Sequence, residues 1–110
     1  MPFDLSESRA ADLRVWRNQF ADATPICELR LRQRDTCVGV VEKIRFEPRR
    51  QLSVTFEDGS GRMTAIFTGR SNLPGLELGA AFRLTGTVAR TQDELQMRNP
   101  TWAPVTEPYG

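Results

Sequence analysis

At 110 residues, 39% hydrophobic and 26% charged, the chain has the size and balance of one folded domain: halves would be too small to bury a core, and the low-apolar, high-charge composition of disorder is absent. No stretch approaches the roughly 20 apolar residues of a membrane span, and the opening MPFDLSESRAADLR has neither the basic end nor the apolar run of a signal peptide, so the expected address is cytoplasmic. With no histidine and no CxxC pair, Cys27 and Cys37 lack the ligand set of structural zinc, and no metal or other cofactor is expected.

The segment from Asp4 to Ala21 predicts an amphipathic helix. Asp4 or Ser6 starts it, Glu7 follows Asp4 at capping-box spacing, and Leu13, Trp16 and Phe20 recur at three- and four-residue intervals among polar neighbours. That stripe needs a partner, either the domain's own core or a second protein. Asp22 to Pro25 reads as a connector, because Thr24 precedes a proline and is pushed away from helical geometry.

From Ile26 onward the hydrophobic period changes to two. A long first strand is expected from Asp35 to Phe46, with Gly39 marking a bulge or bend. Residues 47–51 form a loop, after which Leu52 to Glu57 alternates, placing Leu52, Val54 and Phe56 on one face and Ser53, Thr55 and Glu57 on the other. Asp58-Gly59-Ser60-Gly61 is a tight-turn sequence and predicts a hairpin into a third strand, Arg62 to Thr68. There Met63, Ala65 and Phe67 face the core while Thr64, Ile66 and Thr68 share the outer face. Gly69 to Gly79 is a connector long enough for one helical turn. Phe82, Leu84, Gly86 and Val88 give a fourth strand, residues 91–94 a polar turn, Leu95 to Arg98 a fifth strand, and Pro100, Pro104 and Pro108 an extended tail. Cys27 and Cys37 read as small apolar fillers, with a disulfide across the sheet as the alternative. The resulting expectation is a mainly β protein, a five-stranded antiparallel OB-fold barrel with an N-terminal amphipathic α-helix. Residues 1–25 form the helix and connector, 26–104 the barrel and 105–110 the tail.

The net charge of +1 hides a skew, because seven basic residues against three acidic ones lie between Arg30 and Arg50. Such a run suits phosphates, or is simply a solvated strand face. Fourteen of the fifteen basic residues are arginine, which fits bidentate phosphate contacts but also follows from a GC-rich genome.

The first strand with Gly39, Val41 and Ile44, the run Val54-Thr-Phe-Glu-Asp-Gly-Ser-Gly61, Leu84-Thr-Gly-Thr-Val88 and Leu95-Gln-Met-Arg-Asn-Pro-Thr-Trp102 together resemble small actinobacterial OB-fold nucleic-acid-binding proteins. They are also similar to the OB-fold wedge domain of RecG-type helicases, although no GxxxxGK[ST] phosphate loop accompanies them here. The resemblance implies a binding surface on the second and third strands, flanked by the loops joining strands one to two and four to five. On this sequence that surface holds Ser53, Thr55, Thr64, Ile66 and Thr68, with Arg45, Phe46, Arg49 and Arg50 on one side, Arg90 and Gln92 on the other, and Arg70 just past the third strand. The expected function is low-specificity binding of single-stranded or branched DNA, with RNA possible, by a monomer or weak homodimer. A protein-interaction adaptor using the barrel face or the helix is the alternative. No enzyme is expected: histidine is absent, no serine or cysteine sits in a nucleophile setting, and the Asp93-Glu94 pair lies in a polar turn where solvation explains it.

Overall fold

The computed structural model describes residues 5–108, with side chains described from Glu7 onward. Helix α1 (Leu5–Arg17) is followed by a 3-10 turn at Ile26–Glu28 and six strands: β1 (Arg34–Glu47), β2 (Gln51–Glu57), β3 (Arg62–Thr68), β4 (Ala81–Thr91), β5 (Glu94–Arg98) and β6 (Thr101–Val105). The cap expected at Asp4 lies outside the described residues. No described helix is long and apolar enough to cross a membrane.

Strand β1 closes the sheet into a ring by serving two partners. Its first half pairs antiparallel with β4, from Arg34 opposite Thr87 to Val40 opposite Ala81, and its second half pairs with β2, from Val40 opposite Glu57 to Glu47 opposite Gln51. The ring continues from β2 to β3 to β5 to β4. The alternation in β2 and β3 has its expected consequence, since Leu52, Val54, Phe56, Met63, Ala65 and Phe67 are all buried in the interior. Ile26 and Leu73 join the same cluster, and Phe56 and Trp102 each meet the Phe82 ring edge-on at about 6.0 and 5.9 Å. Cys37 is buried there as a free thiol, pushed up to about 12 chiefly by desolvation and then by Asp58 and Asp35, whereas Cys27 is exposed, so the two form no disulfide.

The helix packs on the outside of its own ring. Leu13 and Trp16 are buried against Val38, Val40 and Ala81, with Phe20 and Val105 at the margin, and the Trp16 indole N–H donates to the Thr106 carbonyl at 2.7 Å. This explains why Cys37 to Val41 is an unbroken buried run: the odd positions face the ring interior and the even ones face the helix. Asp58 fastens the assembly. Its buried carboxylate accepts from the amides of Ile26 at 2.9 Å, Ser60 at 2.8 Å and Gly61 at 3.2 Å, and Arg17 of the helix lies 3.6 Å away. A buried charge persists when its oxygens are satisfied in this way.

Four features differ from the sequence-based expectation. The sheet is mixed, because β3 and β5 run parallel, Met63 opposite Leu95 to Ile66 opposite Arg98. The expected tail holds a sixth strand, β6, which lies along β4 with Pro104 opposite Phe82, and an edge position tolerates a residue without an N–H. The bulge in β1 falls between Val41 and Lys43 rather than at Gly39. The connector from Gly69 to Gly79 contains turns without a helix.

Candidate nucleic-acid interface

The outer faces of β2, β3 and β5 and the second half of β1 enclose a groove of about 310 Å³. Lys43, Arg45 and Glu47 of β1 form one wall, because after the bulge the odd residues turn outward. Gln51, Ser53 and Thr55 follow on β2, Thr64 and Ile66 form the floor on β3, and Glu94 and Gln96 form the far wall on β5. Thr64 and Ile66 are buried although they face outward, since β3 lies between two hydrogen-bonded neighbours whose side chains stand over it. A hydrogen-bonded chain crosses the groove: Thr64 Oγ1 donates to the Glu94 carboxylate, and the Thr55 and Thr64 hydroxyls are 3.0 Å apart.

At the end of the ring where β1 turns into β2, arginines converge from three separate segments. Arg49 and Arg50 form the turn, and the Gly69 amide donates to the Arg50 carbonyl at 2.9 Å, which brings Arg70 alongside. Arg98 ends β5 opposite Ile66. Asn99 locks this end: its amide donates to the Ile66 carbonyl at 2.6 Å and its side-chain oxygen accepts from the Thr68 amide at 2.9 Å. Arg49, Arg50, Arg70 and Arg98 are exposed, and among the described residues none has an acidic partner. Arg49 and Arg50 have φ of 66° and 57°, a left-handed conformation that glycine or asparagine adopts more readily than arginine.

Of the residues singled out from sequence, Arg45, Ser53, Thr55, Thr64 and Ile66 line the groove. Thr68 ends the floor in contact with Asn99. Phe46 is 68% exposed, but it lies opposite Leu52 and on the other side of β1 from Arg45. It therefore stands at the mouth of the ring beside the basic rim. Arg90 pairs with Leu95, so alternation sets it on the opposite side of the hairpin from Gln96, away from the groove; Gln92 sits in the turn between them. The sequence reading missed Lys43, Glu47, Gln51, Gln96 and Arg98, and assigned Glu94 to a solvated turn. The parallel pairing of β3 with β5 puts Gln96 and Arg98 on the outer face with Thr64 and Ile66, and the bulge after Val41 turns Lys43 and Glu47 outward, with Gln51 opposite Glu47. Among the described residues, no group of three or more carboxylate or cysteine side chains is placed to hold a metal.

A second, larger cleft of about 620 Å³ lies between α1, the β2–β3 turn and Leu78-Gly79. Its basic residues are already paired, Arg9 with Glu57 and Arg62 with Glu42 at 2.7 Å; the latter pairing holds the Arg62 guanidinium above its ordinary pKa. Its floor includes Leu13 and Val41, and Leu78 stands 67% exposed at the edge.

No family model matches the chain, and no curated protein matches it in sequence. Solved structures do. One is a replication protein A heterotrimer bound to single-stranded DNA, at 20% identity and TM-score 0.55 over 67% of this chain and 58% of that one. A second is the S. pombe Stn1–Ten1 complex, at 14% identity and TM-score 0.57 over 69% of this chain and 60% of the other. A third is an OB domain from Methanosarcina mazei, at 17% identity and TM-score 0.61 over 78% and 84%. The chain thus spans somewhat under two thirds of the first two. At these identities the likeness is one of fold, and the fold is the OB fold.

Proposed function

We propose that this chain is a nucleic-acid-binding OB module that holds single-stranded or branched DNA without reading a defined sequence. The observation that carries the proposal is the rim of four unpaired arginines, Arg49, Arg50, Arg70 and Arg98, gathered at the end of an OB groove with Phe46 exposed beside them. Guanidinium groups without internal partners hold phosphates by bidentate contact and counterion release, and an exposed phenyl ring at the same edge offers a surface on which a base stacks. The single-stranded DNA on the replication protein A neighbour supports a single-stranded ligand. The sequence resemblance to RecG-type wedge domains supports a branched one. RNA has the same phosphates and stays within the proposal, as do a cytoplasmic setting, an actinobacterial kinship and a role without catalysis.

The test is a fluorescence-anisotropy titration with labelled single-stranded DNA, duplex and a forked junction at two salt concentrations. Salt-sensitive binding is expected for at least one ligand, and Arg49→Glu with Arg50→Glu and Arg98→Glu should weaken it at least about 100-fold, since each charged hydrogen bond contributes about 1.5–3 kcal/mol. Absence of binding to all three ligands at low salt overturns the proposal.

A protein-interaction role is the second reading, favoured by the larger cleft with Leu78 at its edge and by the Stn1–Ten1 neighbour, which is a complex with another protein. The helix stripe does not serve that role, because Leu13 and Trp16 are buried on the ring. An adaptor would tolerate the arginine reversals and lose its partner with Leu78→Asp.

A further inference from the structure

We infer that the groove favours bases carrying an exocyclic amine, cytosine, adenine and guanine, over thymine and uracil, and that Glu94 sets this bias; the inference rests on the nucleic-acid reading above. Its basis is the direction of the hydrogen-bonded chain across the groove floor. A carboxylate only accepts, so the single hydroxyl proton of Thr64 goes to Glu94. The 3.0 Å contact between Thr55 and Thr64 then runs one way, with Thr55 donating. The proton of Thr55 is thereby used as well, and its remaining lone pairs are acceptors. The line of hydroxyls and carboxylate from Thr55 through Thr64 to Glu94 therefore presents acceptors, and the donors beside it are Lys43, opposite Thr55, and Gln96, opposite Thr64.

Charge decides which part of a nucleic acid meets that surface. Lys43 and Arg45 balance Glu47 and Glu94 on the groove walls, and Arg45 stands 3.8 Å from Glu47. Among the described residues Glu94 has no cationic partner. A phosphate placed beside it would be repelled, whereas the arginine rim at the end of the groove is free to hold the backbone. Bases then turn toward the floor, where no aromatic ring lies and hydrogen bonding replaces stacking. Cytosine brings its N4 amine, adenine its N6 amine and guanine an amine beside a ring N–H, each a donor for the carboxylate. Thymine and uracil bring one N–H between two carbonyls, and those oxygens face the carboxylate unfavourably. The bias concerns base composition, and leaves the order of bases unread.

The experiment compares single-stranded oligomers of dC and dT of equal length, about 15 nucleotides, at neutral pH and low salt, by anisotropy. The wild-type protein should bind dC about fivefold more tightly than dT, the lower end of what one base-edge contact provides. In Glu94→Gln the ratio should fall to within about twofold, because the amide both donates and accepts, while affinity for both oligomers rises as one negative charge is lost. Thr64→Val, which keeps the carboxylate but removes its anchor, should give an intermediate ratio. Melting curves matching the wild type establish that the variants are folded. Equal, salt-sensitive binding of dC and dT by the wild type, or an unchanged ratio in Glu94→Gln, overturns the bias and leaves the nucleic-acid reading standing. Failure to bind either oligomer at low salt overturns the bias, and the nucleic-acid reading falls with it only when duplex and forked junction are not bound either.

Discussion

A β-carbon at Gly39 would stand 2.6 Å from Cβ of Phe56, with the backbone nitrogen and oxygen of Glu57 both at 3.4 Å. Neither neighbour is the end of a flexible side chain, so the strand must shift to admit even a methyl group. Gly39→Ala should therefore cost roughly 1–3 kcal/mol, the usual penalty of overpacking, read as a lowered urea midpoint with an unchanged slope; an unaltered midpoint would mean that β1 and β2 yield easily at this crossing. Glycine in a strand pattern was legible as a special position, but its reason was not. The sequence suggested a bend, whereas the cause is a side chain 17 positions away. Glu94 is similar: four polar residues in a row read as a solvated turn, and only the register of β3 against β5 shows that its carboxylate reaches Thr64. The inward faces of β2 and β3 were legible because alternation is a local property.

At the scale of elements, the helix and the first strand explain each other. The stripe of Leu13 and Trp16 and the buried run from Cys37 to Val41 were both visible in the sequence, and each wanted a covering partner. Their mutual assignment needed the fold, since nothing local links a helix at residues 5–17 to the even positions of a strand twenty residues later. Polar contacts then fix the docking angle, through Arg14 to the Gly59 carbonyl at 3.1 Å and Arg17 near Asp58. Trp16→Ala removes the largest side chain of this contact and its hydrogen bond to Thr106, and should cost about 3–5 kcal/mol. That is a large part of the total stability of a small domain, and chemical denaturation measures it directly. A loss below about 1 kcal/mol would show that the helix contributes little to holding the ring. Strand β6 was missed for a different reason: prolines at 100, 104 and 108 suggest an extended tail, and only an edge position beside β4 lets Pro104 belong to a sheet.

For the whole molecule, the distribution of charge matters more than its sum. The formal net charge of +1 gives weak long-range attraction for a polyanion, so affinity must come from local clusters. The basic run from Arg30 to Arg50, continuous in sequence, is divided by the fold. Arg30, Arg32 and Arg34 lie where β1 begins beside the end of β4, and Arg49 and Arg50 lie beyond its other end. A 14-residue strand separates them, on the order of 40 Å of chain at about 3.3 Å per residue. The rim draws instead on Arg70 and Arg98, which are distant in sequence, and for this reason a count along the chain locates only half of it. If the rim anchors single-stranded DNA through four arginines, the logarithm of the binding constant should fall against the logarithm of salt concentration with a slope of about −3. Arg49→Gln with Arg50→Gln should reduce that slope by about 1.4, whereas Arg30→Gln with Arg32→Gln and Arg34→Gln should leave it nearly unchanged, as read from anisotropy across a salt series. An equal reduction from both sets would mean that the ligand runs along the whole of β1, with phosphates held at both ends of the molecule.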